Sequence, residues 1–312
     1  MTSSPVAASQ TRDGSTIVDP PERPLVSIVL PCYREPIPVI QRTLDSVLSQ
    51  TYPNTEIVIV LDDPGNGVLL AHLKQQAAAD DRIRVVVNHH NLGPWGSYNR
   101  GVREAKGEII AIQDADDVSA PTRIEALTDF LLRNHDVGVV GSGLEYVDVA
   151  SGRTLLTRTY PSDPGHAIRR YSPLAHGTTL RWAHFFKTHG GYNESRAYRH
   201  AADYELWCRW YVAGVRMANV PDPLYTYYQS DANFKTQNVG AILRDTVRIK
   251  ARYARELQFG IGDYLWLAVE AMASVLPARA VVSGFYFVNR LRSTGLRTAA
   301  PGTAEPPEPV RY

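Results

Sequence analysis

Residues Gly107-Glu108-Ile109-Ile110-Ala111-Ile112-Gln113-Asp114-Ala115-Asp116-Asp117-Val118 constrain the fold of this chain more than any other stretch. The apolar run 109–112 reads as a short buried strand. Three carboxylates, Asp114, Asp116 and Asp117, follow it directly. In an open α/β sheet, ligands bind beyond the C-terminal ends of the strands. Carboxylates this close repel one another, and a cation among them relieves the repulsion. Oxygen ligands on a loop suit Mg²⁺ or Mn²⁺, held by one or two carboxylates together with substrate phosphates. A metal–diphosphate site is therefore expected here. The alternative is an acidic turn that caps a helix starting near Ala120-Pro121, with an Asp or Ser119 as N-cap.

Upstream the same arrangement repeats. Residues 25–30 read as a buried strand that runs into Pro31-Cys32-Tyr33-Arg34-Glu35-Pro36, a turn. A helix is expected over 39–49, with Ile40, Leu44, Val47 and Leu48 on one face. Residues 56–61 form a second strand ending in Asp62-Asp63-Pro64-Gly65, and 83–87 a third ending at Asn88 to Gly93. This spacing predicts an α/β fold with a parallel sheet and crossover helices. Its polar strand ends converge on one edge. There Asp62 or Asp63 can accept from a base N–H or a ribose hydroxyl, and Tyr33 can stack on a base. Turn chemistry explains Asp62 to Gly65 equally well.

Taken together, Ser27 to Tyr33, Glu56 to Asp63, Asn91-Leu92-Gly93, Asn99-Arg100-Gly101, Ala105 to Glu108 and Asp114 to Asp117 resemble glycosyltransferase family 2 over residues 25–235. The resemblance implies a GT-A fold, a Rossmann-like mixed sheet, and inverting transfer from a nucleotide-sugar, most often a UDP-sugar. It implies Pro31, Tyr33, Glu35 and Asp63 around the donor base and ribose, with Asp62, Gly93 and Asn99 in the same donor-binding set. Asp114 would face the ribose and Asp116 would be the metal ligand. The family often has a basic residue where this chain has Tyr98.

Beyond the acidic loop, a helix is expected over 121–133, a strand over 137–141, and a hairpin over 143–159 turning near Ala150-Ser151-Gly152. Gly190-Gly191 marks a tight turn. An amphipathic helix then begins near Asp203, where the helix dipole keeps a carboxylate ionised. Asp203 matches the Asp of the family pattern Glu-Asp-Tyr-x-Leu-Trp, which implies that it is the base. Ala202 stands in the Glu position, and the alternative for Asp203 is a helix cap. Asp231 stands where the family often has a His that reaches the metal or diphosphate, which makes it a second candidate metal ligand.

The remainder changes character. A basic helix is expected over 239–257, followed by apolar runs at 264–276 and 280–288. Each run is shorter than the roughly 20 residues that cross a bilayer. Glu270 and Arg279 argue against a span as well. Arg290, Arg292 and Arg297 follow, so 264–292 suits peripheral contact with an anionic leaflet; a helical appendage packed on protein is the alternative. The expected division is a flexible leader 1–24, a transferase domain 25–235, a helical region 236–298 and a disordered tail 299–312.

Lys and Arg total 33 against 32 Asp and Glu, so no basic footprint for nucleic acid exists. Two distant cysteines, Cys32 and Cys208, fit a reducing cytoplasm, with the cytoplasmic face of the plasma membrane as the surface to be touched. The acceptor expected is a glycan, polysaccharide or lipid-linked saccharide. Asp114 to Val118 also fits the Asp-x-Asp-x-Val pattern of phosphatases that form an aspartyl-phosphate, but in that fold the motif follows the first strand. A nucleotide-sugar-binding protein without turnover is the non-enzymatic alternative. A Rossmann dehydrogenase and a P-loop kinase are disfavoured, because neither glycine motif is present.

Overall fold

The computed structural model describes residues 23–229 and 238–276. Asp231, the apolar run 280–288, the tail 299–312 and nearly all of the expected leader lie outside them.

The first half alternates strand and helix as its hydrophobic spacing requires: β1 (Val26–Cys32), α1 (Ile37–Leu48), β2 (Thr55–Leu61), α2 (Gly67–Ala79), β3 (Ile83–Val87), α3 (Gly93–Glu104) and β4 (Ile109–Ile112). β1 pairs in parallel with β2 on one side and β4 on the other, and β2 pairs in parallel with β3. Such strands are covered on both faces, which is why they read as unbroken apolar runs. Their side chains alternate between two cores. Ile109 and Ala111 face the core shared with α1, α2 and α4 (Arg123–Arg133), whereas Ile110 and Ile112 face the core of Tyr98, Trp207 and Trp210.

After β4 the sheet becomes mixed. β5 (Val118–Ser119), β6 (Val137–Asp148), β7 (Thr154–Arg158), β8 (Leu180–Trp182) and β9 (Arg216–Gln229) extend it in the order β3-β2-β1-β4-β8-β6-β9-β5, with β7 on β6. β8 is antiparallel to both β4 and β6, so the sheet changes direction beside the acidic loop. The remaining helices are α5 (His184–His189), α6 (Ala202–Val212), α7 (Val239–Tyr253) and α8 (Ile261–Ala273).

Three expectations are corrected. α4 begins at Arg123, not near Ala120-Pro121, and its N-cap Thr122 makes no side-chain cap bond. The hydroxyl of Ser119 instead bonds Gln113 Oε1 at 2.7 Å and accepts from the buried Arg123 at 2.6 Å. The acidic turn is therefore not the cap of this helix. The strand and hairpin expected at 137–159 are joined, because β6 runs unbroken before turning at Asp148, whose carboxylate accepts from Ser151 N at 2.9 Å. The basic helix ends at Tyr253, and it is built into the body: its Ile249 and Tyr253, with Leu257 just beyond it, pack in the core that contains Trp207 and Trp210. Among the described residues no helix is long and apolar enough to cross a membrane.

α3 lies unusually close to the sheet, and Gly101 is the reason. A Cβ there would stand 2.3 Å from Val29 Cγ1 and 3.2 Å from Val60 Cγ2. Gly101→Ala is accordingly expected to overpack this contact and lower stability by about 1–3 kcal/mol. The midpoint of urea unfolding measures it.

Candidate active site

The three carboxylates after β4 do not gather in one place. Asp117 is fully buried and turns inward, where its Oδ1 accepts from Tyr228 N of β9 at 2.9 Å. Burial, with Asp114 and Asp116 close by, pushes its carboxyl well above the usual carboxylate range. Asp114 accepts a short hydrogen bond from the Tyr98 hydroxyl on α3, and its backbone N–H donates to Tyr225 Oη at 3.1 Å. His176 Nδ1 stands 3.9 Å from the same carboxylate. Asp116 alone is exposed, and among the described residues no side chain donates to its carboxylate. The loop was expected to hold a cation with one or two of these carboxylates, Asp116 first, and Asp116 is the one that the folded chain leaves exposed.

The backbone of this loop is braced from below. Arg123, fully buried, donates to Gly177 O at 2.8 Å and Gln113 Oε1 at 2.9 Å, and also to Ile112 O. Burial pulls its guanidinium down to about 10, opposed by Tyr225, Asp114 and Asp117. Thr43 Oγ1 donates to Ala115 O at 2.9 Å, and Arg42 Nη2 to Asp116 O at 2.8 Å. Arg42 and Arg123 escaped sequence reasoning, since each looks like an ordinary charged residue on a helix.

Beyond the ends of β1 and β2 opens a cleft of about 260 Å³ lined by Pro31, Tyr33, Glu35, Asp62, Gly93 and Arg199 among others, and Asp116 approaches it through Glu35. Glu35 Oε2 accepts from Tyr33 N at 2.6 Å. Its carboxyl is raised by burial, with Asp116 adding to the effect, so the two acids are neighbours. Asp62 lines the cleft, but its oxygens are committed to the fold. They accept from Leu92 N at 2.8 Å, Gly93 N at 2.9 Å and Asn88 Nδ2 at 2.8 Å. Gly93 there has φ of 74°, in the left-handed region that favours glycine. Asp63 pairs with Arg34 Nε at 2.7 Å, which holds its carboxyl below the usual range and ties the turn after β1 to the turn after β2. Arg199, unforeseen from the sequence, lines this cleft and an adjoining one of about 230 Å³ with Trp95, Glu194 and Arg196.

On the other side stands Asp203, half-buried at the second position of α6 and behind the fully buried Ala202. Tyr192 links the two sides. Its hydroxyl lies 2.8 Å from His176 Nε2, and burial raises it to about 12, with Arg181 opposing and the charges of Asp203 and Asp114 adding to the rise. The charge of Asp116 is felt at Tyr98 and that of Asp203 at Tyr192, and the Tyr98 and Tyr192 rings lie 5.6 Å apart.

The loop that delivers Asp203 is pinned from α3 and α7. Asn99 spends its amide there: Nδ2 donates to Tyr192 O at 2.8 Å and Glu194 Oε1 at 2.7 Å, while Oδ1 accepts from Tyr192 N at 2.8 Å. Trp95 Nε1 donates to Arg199 O at 2.7 Å. Asp245 of α7 accepts from His200 N at 2.9 Å and lies 3.0 Å from His200 Nδ1. An Asp within a basic helix carried no signal of this.

A cage of three or more His, Cys, Asp or Glu ligands does not occur among the described residues. Asp116 with Asp114 behind it suits instead an ion that takes one or two carboxylates and completes its shell elsewhere.

This parallel-to-mixed sheet, with its acidic loop beyond β4 and a cleft at the strand ends, is the GT-A fold of a glycosyltransferase. The family model for glycosyl transferase family 2 matches residues 27–207, and the chain belongs to that family. It is similar to the putative glycosyltransferase EpsE of Bacillus subtilis, 30% identical over 268 residues, 84% of this chain and 93% of the relative. Two solved structures share the fold. The mannosyltransferase PcManGT of Pyrobaculum calidifontis, in complex with GDP-Man and Mn²⁺, has a TM-score of 0.58 at 19% identity and covers 86% of this chain and 81% of its own. TarS of S. aureus with UDP-GlcNAc has a TM-score of 0.56 at 18% identity, with coverage of 74% and 70%.

Although Asp116 is exposed, the chain crowded around it strips part of its hydration and raises its carboxyl above the ordinary value of 3.8, against its own backbone N–H and Arg42. The folded chain then holds that proton more tightly than the unfolded one. Stability falls as pH rises from the ordinary value through the folded-state value. Asp116→Asn removes this loss, so its melting temperature should exceed that of wild type at pH 7, with the gap closing as pH falls towards 3.8. The side chain is exposed, so screening limits the rise to roughly a degree. Thermal melts across pH measure it.

Proposed function

We propose that this glycosyltransferase moves a sugar from a nucleoside-diphosphate sugar to a hydroxyl acceptor, with inversion and with a divalent metal. The observation that carries the reading is the exposed Asp116 carboxylate, without a side-chain donor among the described residues, beside a cleft lined by Pro31, Tyr33, Glu35, Asp62 and Gly93. Tyr33 offers the base a stacking surface, and Asp63 and Glu35 face the ribose end. Asp62 and Asn99 act through the backbone they hold. Arg199, shared by both clefts, supplies a cation for the diphosphate.

Asp116 would hold Mg²⁺ or Mn²⁺, with Asp114 flanking it and kept in place by Tyr98; Asp231 is a further candidate ligand. A bound ion of this kind supplies charge neutralisation to the departing nucleoside diphosphate. Asp203, at the N-terminus of α6, takes the proton of the acceptor hydroxyl as that oxygen attacks the anomeric carbon. Attack opposite the leaving group inverts the centre, as in single-step glycoside chemistry. Tyr192 is buried and held in place by His176 and Asn99.

A UDP-sugar is the first donor to test, and GDP-mannose the second, since fold neighbours are named with UDP-GlcNAc and with GDP-Man. The acceptor is a saccharide, in a polysaccharide or on a lipid carrier, and transfer takes place in the cytoplasm. Neither the phosphatase reading nor the non-catalytic reading gains support: the acidic motif follows β4, and the chain belongs to a transferase family.

Donor turnover in the presence of Mn²⁺ is expected to fall about 10²–10⁴-fold in Asp203→Asn, as loss of a general base predicts. Asp116→Asn should lose most turnover together with its response to metal concentration. Wild-type rates in both variants would sink the proposal. A shift in melting temperature across a panel of nucleotide-sugars, with and without Mn²⁺, identifies the donor independently of turnover.

A further inference from the structure

Arg123, Arg181 and Lys250 are fully buried, and two of these cations are spent on the fold. Arg123 donates to Gly177 O, Gln113 Oε1 and Ile112 O, and Lys250 pairs with Glu270 at 2.6 Å. Arg181 differs. It stands on β8 between Ile110 of β4 and Val139 of β6, and the pleat turns all three towards the core of Trp207 and Trp210. An apolar residue is the ordinary occupant of such a position. Here Nη2 donates to Thr179 Oγ1 at 2.6 Å. Among the described residues Nε and Nη1 have no hydrogen-bond partner, and no carboxylate forms an ion pair with the guanidinium. Three rings close on it instead, with centres 4.8 Å (Trp207), 5.4 Å (Phe186) and 5.8 Å (Tyr192) from its central carbon.

Aromatic faces attract a cation without neutralising it, and a buried charge with no partner is costly. Negative charge nearby offsets that cost. The Trp207 ring leads to one such charge: it lies one turn after Asp203 on α6, so the two side chains share a face of the helix. The charge of Asp203 is felt at Arg181, at Tyr192, at Tyr160 after β7 and at Cys208 of α6 itself. Burial keeps the last three neutral, pushing Tyr192 up to about 12 and raising Tyr160 and Cys208 as well. Glu205 of α6 is turned to Arg209 and Tyr253, and His200 to Asp245. His176 meets the cluster through the Tyr192 hydroxyl and can also change charge. Within this set Arg181 is the permanent cation.

We propose that Arg181 acts on the base from inside the core, its fixed positive charge holding the Asp203 carboxylate ionised and ready for the acceptor proton. It is a positioning residue and touches no substrate. The inference rests on Asp203 being the base, and it names what sets the charge state of that base. The field also works in reverse, since the ionised carboxylate is what offsets the buried guanidinium. Replacing a buried charge by an apolar side chain of similar volume often leaves stability unchanged or higher. Function and stability should therefore part company at this residue.

The test is a carboxyl ¹³C titration of the full chain labelled at Asp Cγ, with the Asp203 resonance assigned by its absence from Asp203→Asn. Removing the cation in Arg181→Met should move the Asp203 midpoint to higher pH by about one unit, because the anion loses its opposite charge. Arg181→Lys should bring the midpoint back towards wild type. The melting temperature of Arg181→Met should equal or exceed that of wild type. A residue that only fills the core would do the reverse: a lower melting temperature with the Asp203 midpoint in place, which overturns the proposal. A midpoint that moves equally in Arg181→Lys overturns it too, since the charge is then not the cause. If Arg181→Met does not fold, Arg181→Gln carries the same measurement, and failure of both to fold assigns the side chain to the core alone. Wild-type turnover in Asp203→Asn sinks the base reading and takes this inference with it. An unmoved midpoint beside an inactive Asp203→Asn sinks this inference only.

Discussion

The site depends on one buried carboxylate whose oxygens are committed to the fold. Asp62 ends β2 and accepts from the backbone N–H groups of Leu92 and Gly93, so it anchors the start of α3 to the sheet. A helix N-terminus has unpaired donors and a positive dipole end, and a buried anion satisfies both. With α3 anchored there and Gly101 seated on Val29 and Val60, the first turns of the helix are aimed. Trp95 then reaches Arg199 O, Tyr98 reaches Asp114, and Asn99 holds the backbone of Tyr192. The two halves of the cleft are coupled through this one helix.

The acidic loop shows how the fold resolves like-charge crowding without making a cage. It sends one carboxylate into the core, gives one to a tyrosine, and leaves one in solvent. Burial raises the first, the tyrosine hydrogen bond steadies the second, and the third is available to a cation. Tyr98 occupies a position where a basic residue is common in the family. A hydroxyl donor at that point orients Asp114 without adding charge, so the local field near Asp116 stays more negative than a lysine would leave it.

The C-terminal helices contribute to the same geometry. α7 is basic by composition, yet its Asp245 holds His200, three residues before Asp203. α8 is held in turn by Lys250 on α7. Through this chain of contacts, α8 is mechanically joined to the loop that leads into Asp203.

Much of this was legible before any coordinates. Strand and helix order followed from apolar spacing over 25–112, and the polar strand ends at Pro31 to Glu35, Asp62-Asp63 and Asp114 to Asp117 marked one edge, because parallel strands with crossovers allow few other arrangements. Pro31, Tyr33, Glu35, Asp62 and Gly93 do line one cleft. What each polar group does there was not legible. Asp62 and Asp63 look alike in sequence, as do Asp116 and Asp117, and Arg199 looks like any loop arginine. Whether a carboxylate is open or spent depends on which donors reach it, and the donors come from residues 31, 111 or 45 positions away, as in Gly93 with Asp62, Tyr228 with Asp117 and His200 with Asp245. Local pattern encodes burial and backbone conformation, which are properties of a few neighbouring residues. Charge state, availability and the shape of a cleft arise only when distant segments meet, so tertiary packing alone decided them.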